Sequence, residues 1–303
     1  MKHLLKLADL GKADILRILN LADQLKYNQK HGFGQSGLRG KTLVMLFNKS
    51  STRTRVSFET GMYQLGGHAV FLTGADSQIG RGESAADTAR VLSRYADGIM
   101  VRTYGQDEVE QLALHSSVPV INGLTDYAHP CQVLADLMTI REHLTVLDGL
   151  KACFIGDGNN VCNSLIVGAA ACGMTVTAAC PEGHEPHPDA VAAAGAAFTL
   201  TRSPRQAARD ADVVFTDVWA SMGQEGEAAA RAEAFKGFQV NAELMALAKP
   251  GAIVQHCLPA HKGEEITEEV FEAHAREIFD EAENRLHAQK AVMLLLMGDG
   301  AGA

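Results

Sequence analysis

The sequence predicts an α/β protein of two doubly wound parallel-sheet domains. Three observations predict it. Apolar runs of strand length alternate with helical patterns almost throughout. The alternation restarts after a turn at Asp148-Gly149. A chain of 303 residues also exceeds what one small core organises.

The elements follow in order. Residues 42–47 form an apolar strand. A helix over 53–65 follows, with Phe58, Met62 and Leu65 on one face, and Gly66-Gly67 stops it before strand 68–73. Ser84-Ala85-Ala86-Asp87 starts a helix of the capping-box type, with Thr88, Val91, Leu92 and Tyr95 on one face. Residues 99–103 and 118–121 are short strands. His129-Pro130 opens a helix whose apolar face is Val133, Leu134, Leu137 and Met138. The second series comprises strand 151–155, a helix over 161–171 ended by Gly173, and strands 175–179, 213–216 and 253–256. The domain boundary is expected in or just after the helix from His129, giving domains 1–145 and 146–285. A last helix, 281–297, is expected to pack back on the first domain through residues 286–303. The stretch 223–234, rich in Gly, Glu and Ala, is the candidate mobile loop.

Composition narrows the function. The chain is 47% apolar and 21% charged, as in soluble globular proteins. No apolar run reaches membrane-span length, and no signal peptide is expected. Six cysteines without a C-x-x-C pair favour reduced thiols and a cytoplasmic location. A net charge of −9 without a basic run argues against nucleic acid, so any cationic pocket must be local.

One such pocket is legible. Ser51-Thr52-Arg53-Thr54-Arg55 places two hydroxyl-flanked arginines at a strand-to-helix corner. Free N–H groups and the positive helix end favour a doubly charged anion there, and guanidinium groups bind phosphate oxygens in pairs. Arg102 ends a strand, where it can aim at a ligand or lie on the surface. His129-Pro130-Cys131-Gln132 places an imidazole and an amide at a helix start, either to polarise a carbonyl or as a simple cap. Asp217 after strand 213–216 offers a carboxylate suited to an ammonium group, or a turn with Trp219 packed beside it. Cys257, in His256-Cys257-Leu258-Pro259, is a nucleophile, a ligand-shaping thiol or a buried core residue. Gly156-Asp157-Gly158-Asn159-Asn160-Val161 matches a dinucleotide fingerprint weakly, because Val161 replaces the third glycine. The pairs His184/His187 and His256/His261 lack the spacing of a four-ligand metal site.

Nine segments, in order, resemble the aspartate/ornithine carbamoyltransferase family. They are Phe47-Asn48-Lys49-Ser50-Ser51-Thr52-Arg53-Thr54-Arg55, Ser77-Gln78-Ile79-Gly80, Asp87-Thr88-Ala89-Arg90-Val91-Leu92, Asn122-Gly123-Leu124-Thr125-Asp126, His129-Pro130-Cys131-Gln132, Gly156-Asp157-Gly158-Asn159-Asn160, Asp217-Val218-Trp219-Ala220-Ser221-Met222-Gly223, His256-Cys257-Leu258-Pro259 and Glu283-Asn284-Arg285-Leu286-His287. Ala260-His261 departs from the pattern, since many members carry a basic residue there.

The resemblance implies two α/β domains of similar size with the active site between them, no metal and no cofactor. It implies a homotrimer in which Gln78 reaches a neighbouring subunit's site. Carbamoyl phosphate is expected to bind at Ser51, Thr52, Arg53, Thr54, Gln78, Arg102, His129, Pro130, Cys131, Gln132, Cys257, Leu258 and Arg285. Of these, Thr54, Arg102, His129 and Cys257 are the expected catalytic group. Leu124, Asn160, Asp217, Ser221 and Met222 are expected to bind L-ornithine. The implied reaction is carbamoyl transfer to its δ-amine, giving citrulline and phosphate, in arginine biosynthesis. A sister enzyme using aspartate, putrescine or an acylated ornithine is the alternative. A nicotinamide dehydrogenase and a non-catalytic binding module are the more distant ones.

Overall fold

The computed structural model describes residues 1–74, 82–220, 226 and 228–298. The chain forms two compact units, Met1–Ala135 with Asn284–Ala303, and Asp136–Glu283. In the first, strands β1 (Thr42–Phe47), β2 (His68–Thr73), β3 (Gly98–Arg102) and β4 (Val120–Leu124) make a four-stranded parallel sheet in the order β2-β1-β3-β4. Its helices are α1 (Lys12–Lys30), α2 (Thr52–Gln64), α3 (Ala85–Tyr95), α4 (Gln106–His115) and the start of α5 (Pro130–Leu144). In the second, β5 (Lys151–Ile155), β6 (Thr175–Ala179), β7 (Phe198–Thr201), β8 (Val213–Thr216) and β9 (Ile253–His256) make a parallel sheet ordered β7-β6-β5-β8-β9. Its helices are α6 (Asn160–Ala171), α7 (Pro188–Ala194), α8 (Pro204–Ala208), α9 (Ala228–Ala234), α10 (Ala242–Met245), α11 (Glu268–Ala273) and the start of α12 (Ala275–Met297). The α/β class predicted from the alternating pattern is the class observed. Among the described residues no helix is long and apolar enough to cross a membrane.

Each sheet is held by a core read from its apolar strands. Val44, Leu46, Ile99, Val101 and Val120 pack with Ala89, Val109 and Leu112 in the first unit. In the second, Cys153, Ile155, Val214 and Val254 pack with Phe235, Phe238, Val240 and Phe271. All six cysteines are free thiols. The sheet order reverses between β1 and β3 in one unit and between β5 and β8 in the other. At such a switch point the flanking connections leave on opposite faces and open a crevice at the strands' carboxyl ends.

A bulge shapes the first of these crevices. Val101 pairs with Asn122, but Arg102 pairs with Leu124, skipping Gly123. A Cβ on Gly123 would stand 2.6 Å from Met100 Sδ and 3.1 Å from the Val101 carbonyl oxygen, so a larger residue at the skipped position would have to displace the methionine. The bulge re-aims Arg102 and Leu124 at the ligand end of the sheet. The far end of the chain is tied into the same unit by Lys290. Its buried ammonium donates to Gln29 (3.1 Å) and Gln64 (3.0 Å), and burial pushes its pKa down to about 8.

Several expectations are corrected. On α3 the buried face is Thr88 and Ala89, while Val91 and Tyr95 are 45% and 77% exposed. Both sit on the outward side of a helix that turns small residues toward its sheet. Residues 228–234 of the expected loop form α9, whose alanines favour helix; residues 223–225 and 227 lie outside the described residues. The last helix starts at Ala275 rather than 281. On α5 the burial is not confined to one face, since residues 131–140 are all buried. Helix α1 was missed although Ile15, Ile18, Leu19, Ala22 and Leu25 recur at helical spacing and are buried. Strand β7 was missed because it is a four-residue edge with two exposed positions.

Gly158 marks the closest backbone approach in the second unit. A Cβ there would lie 2.2 Å from Pro186 N and 2.3 Å from Glu185 C. Gly158→Ala is therefore expected to destabilise the protein by about 1–3 kcal/mol, the usual range for overpacking. Urea unfolding of the two proteins measures it, and an unchanged midpoint would contradict the close packing.

Candidate active site

The first half-site grows from the end of β1. Ser51 caps α2, its Oγ accepting the Thr54 N–H at 3.2 Å. This cap turns the first helical turn so that Thr54, 1% exposed, faces inward. Thr54 Oγ1 then accepts from three donors: Ser51 Oγ at 3.1 Å, Arg102 Nη1 at 3.4 Å and Arg285 Nη2 at 3.4 Å. Arg285 Nη1 also donates to Gln132 Oε1 at 2.6 Å. Arg102 and Arg285 are 7% and 4% exposed. Two buried guanidinium groups thus converge on one hydroxyl through long, weak bonds that an incoming anion replaces at little cost.

Of the two arginines in the Ser51–Arg55 corner, only Arg53 belongs to this cationic group, since it lowers the pKa of His129. Arg55 is turned away: its Nε donates to Glu59 at 3.0 Å, and its guanidinium lies 3.7 Å over the Phe71 ring. Thr52 and Arg53 are exposed at the helix start.

His129 is 4% exposed and precedes α5. Burial first, then Arg285, Arg102 and Arg53, hold its pKa well below 6.5. A neutral imidazole keeps one N–H for donation without adding a further positive charge. Pro130, Cys131 and Gln132 follow, all buried. Cys131 is an inert thiol, raised to about 12 by burial, with its Sγ donating to Asn122 O at 3.5 Å. Leu124, half-buried, ends β4 beyond the bulge.

One functional residue escaped the sequence reading. Gln289, 0% exposed, turns its amide oxygen to Arg285 Nε (3.3 Å) and Nη2 (3.0 Å), while its nitrogen donates to Ser57 Oγ at 2.6 Å. It lies one helical turn after Arg285 and fixes the fork from behind. That i,i+4 spacing is visible in the sequence, but the Ser57 anchor is not.

The second half-site lies at the switch between β5 and β8. Asn159 caps α6, its Oδ1 accepting from Val161 N and Cys162 N, and its Nδ2 donates to Asp217 Oδ2 at 2.7 Å. Asp217 Oδ1 accepts from Val218 N at 2.8 Å and from the Cys257 thiol at 3.1 Å. Burial and the neighbouring Asp217 push the Cys257 pKa well up, so the sulfur carries its proton and donates it. Among the described residues, Asp217 is held by an amide, a backbone N–H and a thiol, all neutral. Its side chain is 5% exposed. The adjacent Asp157 differs: Arg231 donates to it at 2.8 Å. Asn160 is the first residue of α6, directly after the Asn159 cap. Leu258 follows Cys257 in the same unit.

Asn159 also occupies the N–H groups at the start of α6 that a dinucleotide pyrophosphate would use. His184 lies beside Asp157 and His187 caps α7, so they do not pair. Gln78, Ser221 and Met222 lie outside the described residues.

Two parallel-sheet units, one with buried guanidinium groups and one with a buried carboxylate at their strand ends, are the frame of a group-transfer enzyme. The model described as "Aspartate/ornithine carbamoyltransferase, carbamoyl-P binding domain" matches residues 2–142, and that of the "Asp/Orn binding domain" matches residues 148–296. The ornithine carbamoyltransferase of Carboxydothermus hydrogenoformans is 55% identical over 98% of both chains. The solved ornithine carbamoyltransferase from Pyrococcus furiosus superposes with a TM-score of 0.94 at 50% identity, covering 100% of this chain and 98% of that one. The anabolic ornithine carbamoyltransferase from Campylobacter jejuni gives 0.91 at 41% identity, covering 98% and 99%. The chain belongs to the aspartate/ornithine carbamoyltransferase family and is a carbamoyltransferase.

The depressed His129 pKa has a sign that stability measurements read. Below the ordinary value of 6.5 the unfolded chain binds a proton that folded His129 refuses. Stability therefore falls as pH falls, by up to about 1.4 kcal/mol per pH unit from this group. Urea unfolding between pH 7 and 5 is expected to show a shallower loss in His129→Gln than in wild type. Parallel curves would contradict a neutral, buried imidazole.

Proposed function

We propose that this chain is an ornithine carbamoyltransferase, moving the carbamoyl group of carbamoyl phosphate to the δ-amine of L-ornithine to give citrulline and phosphate. Asp217 carries the acceptor assignment. A nearly buried carboxylate with only neutral partners among the described residues suits the α-ammonium of a diamino acid. An acceptor bearing a second carboxylate, such as aspartate, would need a cation in that place. The names of the similar proteins support the same reading.

In this reading Ser51, Thr52, Arg53 and Thr54 hold the phosphate at the start of α2, with Arg102 and Arg285 neutralising its charge. Gln78 of a neighbouring subunit completes the site in a homotrimer. Neutral His129, Arg102 and Thr54 donate to the carbamoyl oxygen as it becomes an oxyanion; one such donor typically contributes ~3 kcal/mol. Pro130, Cys131, Gln132, Cys257 and Leu258 surround the carbamoyl group. Leu124, Asn160, Asp217, Ser221 and Met222 hold ornithine. The δ-amine attacks as the free base, and the C–O bond to phosphate breaks as the tetrahedral centre collapses. The departing phosphate takes the amine proton. Holding the two reactants in line contributes about 7–11 kcal/mol more. Cys257 acts as a thiol donor to Asp217 rather than as a nucleophile. We place the enzyme in the cytoplasm and in arginine biosynthesis, the latter supported by the anabolic Campylobacter jejuni relative.

A citrulline-formation assay tests the assignment directly: wild type that makes none from the two substrates overturns it. Arg53→Ala is expected to lower kcat/KM for carbamoyl phosphate by about 10²–10³-fold, the range for losing one anion-stabilising donor. Asp217→Ala is expected to act chiefly on ornithine, raising its KM by about 30-fold or more, as for removing one partner of a buried charge pair. Unchanged ornithine saturation in Asp217→Ala would remove the ammonium role.

A further inference from the structure

The end of β9 carries a buried pair that neither half-site uses. His256 is 1% exposed and Glu265 0%. The Leu258 N–H donates to His256 Nδ1 at 2.9 Å. A ring nitrogen that accepts carries no hydrogen, so the imidazole proton sits on Nε2. Nε2 lies 3.0 Å from Glu265 Oε1 and donates to it. That same oxygen accepts the backbone N–H of His261 at 2.6 Å, which fixes the carboxylate in turn. At the other end, the His256 N–H donates to Glu281 Oε2 at 2.9 Å. Two buried carboxylates thus grip the turn 256–261 at both ends.

Inside this turn Leu258 has a φ of 58°, the left-handed region that a leucine does not adopt unaided. Its N–H is held there by the His256 ring. The preceding residue, Cys257, sends its thiol to Asp217.

We infer that His256 is a positioning residue: its Nε2–H tautomer, set by Glu265, holds the Leu258 N–H and so shapes the Cys257–Leu258 backbone for the carbamoyl group. The inference rests on the carbamoyl-transfer reading above. It differs from a plain buried pair in which nitrogen matters. The Asn side-chain oxygen stands where Nδ1 stands and can still accept from Leu258, but it does not reach Glu265. The Gln amide reaches toward Glu265 and leaves Leu258 N–H without its acceptor.

The experiment compares His256→Asn with His256→Gln in citrulline formation, with thermal unfolding of both. His256→Asn is expected to stay within about tenfold of wild-type kcat. His256→Gln is expected to lose about 10²-fold, the scale of a misplaced reacting group, at a similar unfolding temperature and with ornithine KM little changed. A Gln variant as active as the Asn variant, or more so, overturns the inference. Nitrogen-15 spectra of the His256 ring in wild type provide a test that needs no variant to fold. At pH 7 they are expected to show an unprotonated Nδ1 and a protonated Nε2; a protonated Nδ1 overturns the inference. Wild type without turnover instead sinks the functional reading and leaves the ring assignment standing.

Discussion

Two buried guanidinium groups donating to one threonine hydroxyl form the contact on which the first half of this molecule is organised. Like charges in a low-dielectric interior repel and are costly to desolvate. The N–H groups of Arg285 meet neutral oxygens of Thr54, Gln132 and Gln289, and Arg102 Nη1 donates to Thr54 at 3.4 Å. The bulge at Gly123 aims the first arginine, and the Gln289–Ser57 anchor aims the second. The Ser51 cap orients the hydroxyl between them. Burial first, and then the same positive field, holds the His129 pKa well below its ordinary value.

The second unit repeats the device with the sign reversed. Asp217 is the buried carboxylate, and among the described residues Asn159, Val218 and Cys257 are the neutral groups that hold it. Asp157, a short distance along the chain from Asn159, shows the contrast. It has Arg231 as a partner and is a structural anchor. In both units the organised charge lies at the sheet's switch point, where the fold leaves strand ends open.

This arrangement suits carbamoyl transfer because the chemistry demands little proton traffic from the protein. Phosphate is already a competent leaving group, so the protein's task is to place charge and exclude alternatives. A neutral imidazole and a protonated thiol fit that task better than a charged base or a thiolate.

The fold class and most strands were legible because buried parallel strands are short apolar runs with clear stops, as in residues 42–47 and 151–155. The helix start at Ser51 was legible because a cap asks for a hydroxyl there, and Ser51 accepts the Thr54 N–H. Motif order carried the family. Local pattern could not separate Arg53 from Arg55, since that choice depends on Phe71 and Glu59 lying on one side. Nor could it assign Asn159, Gln289 and His256, whose contacts depend on partners brought close only by folding. The sequence by itself determined which chemical groups this protein has and roughly where each strand ends. Tertiary structure alone decided which of them are buried together in the interior, because desolvation and pairing arise only when distant segments meet.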